Sequence, residues 1–137
     1  MFLDLDGFKF INDKFGHNVG DDVLKEVAKR LLLLVRQSDT VARVGGDEFI
    51  FFINNPKGKD EVTYIANRIV SSIREPMEIR GEVLQIGTSV GIAMFPDDGS
   101  TSVDLIKNAD TAMYAAKGLG KNNVSFFSPE TLKTTPL

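Results

Sequence analysis

The 137 residues predict an α+β fold, with helices packed on a mainly antiparallel central sheet. Three observations carry this expectation. Strand-like and helix-like segments mix without strict alternation, in the order β-α-β-β-α-β-β-α-β. Two pairs of strand-like runs are separated by short glycine-containing turns, the signature of hairpins. Hydrophobic content of 42% with 26% charged residues suits one globular domain with a core of its own.

The elements follow in order. "MFLDL" (1–5) reads as a short buried strand. "GDDVLKEVAKRLLLLVRQSD" (20–39) reads as a helix with Leu24, Val27, Ala28, Leu31 and Val35 on one face, and Asp21 or Asp22 as its N-terminal cap. "TVARV" and "EFIFFI" flank Gly45-Gly46-Asp47 as a hairpin. "KDEVTYIANRIVSSIRE" is an amphipathic helix carrying Val62, Ile65, Ala66, Ile69 and Ile73, with Pro76 beyond its end. "MEIRGEVLQIGTSVGIAMF" reads as a strand, a turn at Gly81 and one long strand. That long strand places Leu84, Ile86, Val90, Ile92 and Met94 on one face. Its other face is small (Gly87, Ser89, Gly91, Ala93), so a helix or a ligand can come close. "TSVDLIKNADTAMYAAK" is a helix opened by a capping box from Thr101 to Asp104 and stopped at Gly118. "NVSFF" is a last strand, and residues 129–137 are a polar tail or linker.

Composition excludes several functions. There is no cysteine, so no disulfide and no thiolate metal site. That agrees with a cytoplasmic setting. A net charge of −3 gives no general affinity for nucleic acid, so a nucleotide partner needs a local site. Apolar runs such as Leu31–Val35 are too short to span a bilayer, and no signal peptide is legible. The chain opens directly on a strand, which reads as an excised domain or one lacking an N-terminal piece.

Three segments carry chemistry. In "LDLDGFKFIND", Asp4 and Asp6 are expected on opposite strand faces and so unable to grip one ion equally. A calcium loop counted from Asp4 fails, because Lys9 stands at its glycine position and Phe15 at its last ligand. In "GGDEF", a plain turn explains Gly-Gly-Asp taken alone. If that hairpin lies beside the first strand, however, Asp47 or Glu48 meets Asp4, and converging carboxylates suit a hard cation such as Mg2+. The glycines would let backbone approach a phosphate-bearing ligand. In "AAKGLGKNN", Lys117 and Lys121 flank a helix end, either as favourable C-terminal charge or as two ammonium groups for a triphosphate. It is not a P-loop, since Ala115 replaces the first glycine and Asn122 the Ser/Thr. His17, the single histidine, reads as a structural loop residue.

Taken together, "LDLDGFKFINDKFGHNVGDDVL", "RVGGDEF", "SVGIAMFP" and "NADTAMYAAKGLGKNN" resemble the GGDEF family of diguanylate cyclases, in that family's order and spacing. The resemblance implies a nucleotidyl-cyclase or palm-like (ferredoxin-like) sandwich over residues 1–128. It implies Mg2+-dependent (or Mn2+-dependent) condensation of two GTP into cyclic di-GMP and two pyrophosphates, in bacterial second-messenger signalling. Asp4 then matches the metal-binding aspartate, helped by the Leu5 carbonyl. Asp47 matches a second metal carboxylate and acid-base group, with Glu48 a further ligand or base. Asn12 and Asp21 match the readers of the guanine edge, and Phe8 and Lys9 the loop on the phosphates. Gly45 and Gly46 line the substrate, and Lys117 and Lys121 contact its phosphates. Lysine at 121 lacks the fork of the arginine often found there. Arg36 and Asp39 match the family's RxxD product-inhibition site, with five residues between Asp39 and Gly45, and Arg68 a secondary arginine of that site. The implied partners are GTP, cyclic di-GMP and a second copy of the chain for catalysis. A fused sensory or EAL domain belongs to the full-length protein, which can be membrane-anchored, whereas this domain is expected to touch neither membrane nor nucleic acid. The family's helix and "LTGLxNR"-like segment before the first strand are absent from this chain.

Overall fold

In the computed structural model, residues 1–129 are described. The tail expected at 129–137 lies outside them apart from its first residue. The elements are β1 (Phe2–Asp6), α1 (Phe8–Phe15), α2 (His17–Leu34), β2 (Thr40–Gly45), β3 (Glu48–Phe52) and α3 (Lys59–Arg74). They continue as β4 (Met77–Ile79), β5 (Glu82–Leu84), β6 (Gly87–Ile92), α4 (Ser102–Gly118) and β7 (Val124–Phe126).

The main sheet runs β2-β3-β1-β6-β7. Its pairs are antiparallel except β6 with β7, which is parallel. The expected α+β sandwich is therefore present. Strand β1 sits in the middle, and its alternation sorts the core. Leu3 and Leu5 join Phe49, Phe51, Val90 and Ile92 in a buried cluster with α1, α2 and α3. Phe2 and Ile50 point to the other face and pack on Ala109 and Met113 of α4. Asp4 shares that second face, so the acid lies on the side covered by α4.

The small face of β6 has its reason in α4. A Cβ at Gly91 would run into the Ala109 carbonyl and the Met113 amide. A helix, not a ligand, takes that space. Thr101 caps α4 by accepting the Asp104 amide at 3.1 Å, as the box predicts.

Four expectations are corrected. A short helix, α1, fills part of the stretch between residues 5 and 20, where the sequence reading places no element. Its Phe8 and Ile11 are buried one turn apart, and it lies between Gly7 (φ 79°) and Gly16 (φ 92°). Helix α2 starts at His17, so His17 is helical and Asp21 and Asp22 lie past the cap. Asp22 instead accepts Arg80 Nε at 2.7 Å, tying α2 to the turn after β4. Helix α2 also ends at Leu34, because Val35 turns extended (ψ 135°). The long strand is two strands, because β5 pairs with β4 in a separate hairpin while β6 enters the main sheet. Among the described residues no helix is long and apolar enough to cross a membrane.

Candidate active site

The β2–β3 hairpin brings its acids to β1. Asp4 stands directly across from Glu48 in the β1–β3 register, and Leu5 N donates to the Asp47 carbonyl at 3.2 Å. The ladder slips between Arg43 and Gly45, and Gly46 takes a left-handed φ of 43° that glycine adopts without steric cost. Arg43 Nε donates to the Gly46 carbonyl at 2.8 Å and pins the tip. A Cβ at Gly45 or Gly46 would meet open space, so the tip faces solvent.

The carboxyls repel one another. Burial, a side-chain hydrogen bond with Asp47 and the charges of Asp47 and Glu48 push the Asp4 pKa up from 3.8 to about 7, against the pull of Lys117. Burial raises Glu48 too, followed by the charges of Asp110 and Asp47. Asp110 on α4 is itself raised by burial. It was not anticipated, although it lies seven residues before Lys117 and so on the same helix face.

Asp4 and Asp6 share a face, contrary to expectation. Strand side chains alternate with period two, so residues two apart point the same way. Lys117 Nζ lies between them, 3.5 Å from Asp4 Oδ2 and 3.3 Å from Asp6 Oδ1. Lys121 is exposed, with φ 64°, on the loop after α4.

Among the described residues no three acids or histidines converge as a ready ligand set. The donor chemistry still fits a hard cation. Mg2+ is commonly held by one or two carboxylates together with substrate phosphates, and Asp4 hydrogen-bonded to Asp47 supplies such a pair.

The other expected residues fall as follows. Asn12 lies against α2, so close that a Cβ at Gly20 would collide with its side-chain amide, and Asp21, the next residue, is exposed. Phe8 is buried and Lys9 exposed, both in the first turn of α1 rather than in a loop. Arg36 grips Asp39 with Nε at 2.8 Å and Nη2 at 3.1 Å. Nη1 also donates to Glu61 (2.6 Å) and Nη2 to the Asn54 carbonyl (3.1 Å). The Asp39 side chain is only 1% exposed, and the Arg36 guanidinium holds its pKa below the usual value. Arg68 lies seven residues after Glu61 on α3, with its guanidinium 5.8 Å from the Tyr64 ring. A cavity of about 450 Å3 lined by Phe2, Ile50, Ile92 and Ile106 also takes in Asn54, but none of the expected site residues.

The chain is similar to known proteins over most of its length. It is 46% identical over 127 residues to the bifunctional diguanylate cyclase/cyclic di-GMP phosphodiesterase MucR of Pseudomonas aeruginosa, covering 93% of this chain and 18% of MucR. It is 41% identical over 132 residues to the cyclic di-GMP phosphodiesterase NbdA of the same organism, covering 96% of this chain and 17% of NbdA. The chain thus spans under a fifth of these curated relatives. The solved GGDEF domain of TpbB (YfiN) from P. aeruginosa superposes with a TM-score of 0.94 at 34% identity, over 97% of this chain and 78% of that one. The fold is the palm-like one of such domains. The family model described as "Diguanylate cyclase, GGDEF domain" matches residues 1–123, and the chain belongs to that family.

Proposed function

We propose that the domain is a diguanylate cyclase, joining two GTP into cyclic di-GMP with release of two pyrophosphates. The observation that carries this reading is the Asp4–Asp47 carboxyl pair, set beside Lys117 under an open glycine tip. Asp4 and Asp47 would hold Mg2+ or Mn2+, with the Leu5 carbonyl and Glu48 as further oxygen donors. When bound, such a cation screens charge on the α-phosphate and acidifies the attacking 3′-hydroxyl. Asp47 or Glu48 takes that proton. The Asp21 carboxylate accepts from the guanine N1–H and N2–H2, and the Asn12 amide answers its acceptors. The first turn of α1, at Phe8 and Lys9, lies along the phosphates. Lys117 and Lys121 hold the departing pyrophosphate. Gly45 and Gly46 leave room for the nucleotide.

Product binding at Arg36, Asp39 and Arg68 would provide feedback inhibition. Similarity to the bifunctional MucR supports a phosphodiesterase partner domain in the full-length protein, and NbdA supports a rival reading. In that reading the domain binds GTP without turnover and regulates a neighbouring phosphodiesterase. Incubation with GTP and Mg2+ decides between them. Cyclic di-GMP is expected from the native chain and absent with Asp47→Ala. Bound GTP with no product at high protein concentration establishes the rival, and product from Asp47→Ala removes the catalytic assignment. Arg36→Ala is expected to relieve product inhibition.

A further inference from the structure

Asp6 ends β1, and its side chain is 9% exposed. Three donors converge on its carboxylate. Ser89 Oγ of β6 donates to Oδ1 at 2.8 Å, and Lys117 Nζ of α4 reaches the same oxygen at 3.3 Å. The Asn122 amide, in the loop between α4 and β7, donates to Oδ2 at 2.8 Å. That loop has an unfavourable backbone. Gly120 (φ 114°), Lys121 (φ 64°) and Asn122 (φ 49°) are left-handed in succession, a conformation that a Cβ disfavours. A charge-assisted hydrogen bond to a buried carboxylate is a strong anchor for it. Gly87 makes room for the contact: a Cβ there would sit 3.0 Å from Asn122 Oδ1 and 3.3 Å from Asp6 Oδ2. The loop's bonds from Lys121 N and Asn123 Nδ2 to the Ala116 carbonyl close the helix end. Asp6 adds the link to the strand that carries Asp4.

We propose that Asp6 is a positioning residue. It fixes Lys117 and the Lys121 loop at a set distance from the Asp4–Asp47 pair and touches neither cation nor substrate. Its lone pairs are already committed to three donors, which leaves little for a metal. The assignment rests on the reading of the site as one for GTP.

The test compares Asp6→Ala with Asp6→Asn in the full chain. Alanine removes every acceptor, whereas asparagine keeps one for the Asn122 amide and loses the charge facing Lys117. For Asp6→Ala the GTP KM is expected to rise about tenfold or more while kcat falls less than about threefold, and Asp6→Asn lies between it and the native chain. Hydrogen exchange at the Asn122 amide, which needs no turnover, is expected to quicken about tenfold or more in Asp6→Ala and stay near native in Asp6→Asn. Unchanged exchange at Asn122, or an unchanged GTP KM in Asp6→Ala, overturns the proposal. A larger rise in Mg2+ requirement than in GTP KM makes Asp6 a metal ligand and also overturns it. If Asp6→Ala does not fold, Asp6→Asn decides: lower kcat at constant KM marks a merely structural residue. If the native chain binds GTP without making product, the cyclase reading fails alone, and the GTP dissociation constant replaces KM in the same comparison.

Discussion

Asp4 concentrates the electrostatic tension of the site, and that tension is measurable as stability. Its folded-state pKa of about 7 lies above the usual 3.8. Between those values the folded chain keeps a proton that the unfolded chain gives up, so stability falls as pH rises through that window. Thermal melts without metal, run from pH 4.5 to 8, are expected to show this slope as a difference between the native chain and Asp4→Asn, because the buried Met1 amino group, lowered from 8.0 to about 5, pulls the other way over much of the range. Asp39, whose carboxyl is held low by Arg36, contributes in the opposite sense at lower pH. The difference between the native chain and Asp4→Asn isolates the Asp4 part, and equal slopes in the two would refute it. Asn12 gives a second prediction at this scale. Gly20→Ala would drive a methyl into the Asn12 amide. The GTP KM should rise about tenfold, with a melting temperature lowered by no more than a few degrees. An unchanged KM removes Asn12 from the guanine site. Placement was legible where a hairpin fixes it, as for Glu48 across from Asp4. It was not legible for Asp6, whose partners Ser89, Lys117 and Asn122 come from three distant segments.

Elements set the distances that residues use. Helix α4 carries Lys117, and it lies on β6 only because Gly91 has no side chain. Gly91→Ala is expected to cost about 1–3 kcal/mol of stability by overpacking. Because the same shift moves Lys117 away from Asp4, cyclase activity should fall at temperatures where the variant is fully folded. Full activity in a destabilised Gly91→Ala chain would show that α4 tolerates displacement. The α2–β2 connection supplies another case. Glu61 at the start of α3 takes Arg36 Nη1 at 2.6 Å, a donor that a phosphodiester would compete for if product binds at Arg36 as proposed. Glu61→Gln should therefore tighten product inhibition by about tenfold, read as a lower inhibition constant for cyclic di-GMP. A weaker inhibition would mean that Glu61 holds Arg36 in its binding pose. Elements with long apolar periodicity, α3 and α4, were legible in the sequence, as was the hairpin with its glycine tip. Helix α1 was missed because eight residues between two left-handed glycines carry barely two turns of periodicity. The split between β5 and β6 was missed because strand partners, not local sequence, decide it.

At the scale of the whole molecule, the proposed cyclase reaction calls for a partner. One chain presents one Asp4–Asp47 pair and one Lys117, enough for one GTP, yet cyclisation joins two. Each 3′-hydroxyl must attack the α-phosphate of the other nucleotide, so two sites have to face each other across a two-fold axis. Below the dimer dissociation constant, dimer concentration grows as the square of chain concentration. The rate per chain should then rise in proportion to concentration and level off once dimers dominate. Doping gives the stricter test. Above that constant, an equal amount of Asp47→Ala chain pairs with about half of the native chains at random. If both sites must work, the rate per native chain drops to about half, whereas independent sites leave it unchanged. A rate per native chain that ignores both dilution and doping would place both GTP molecules on one chain. It would then send the search for a second nucleotide site to the same face of the sheet, near Asp110.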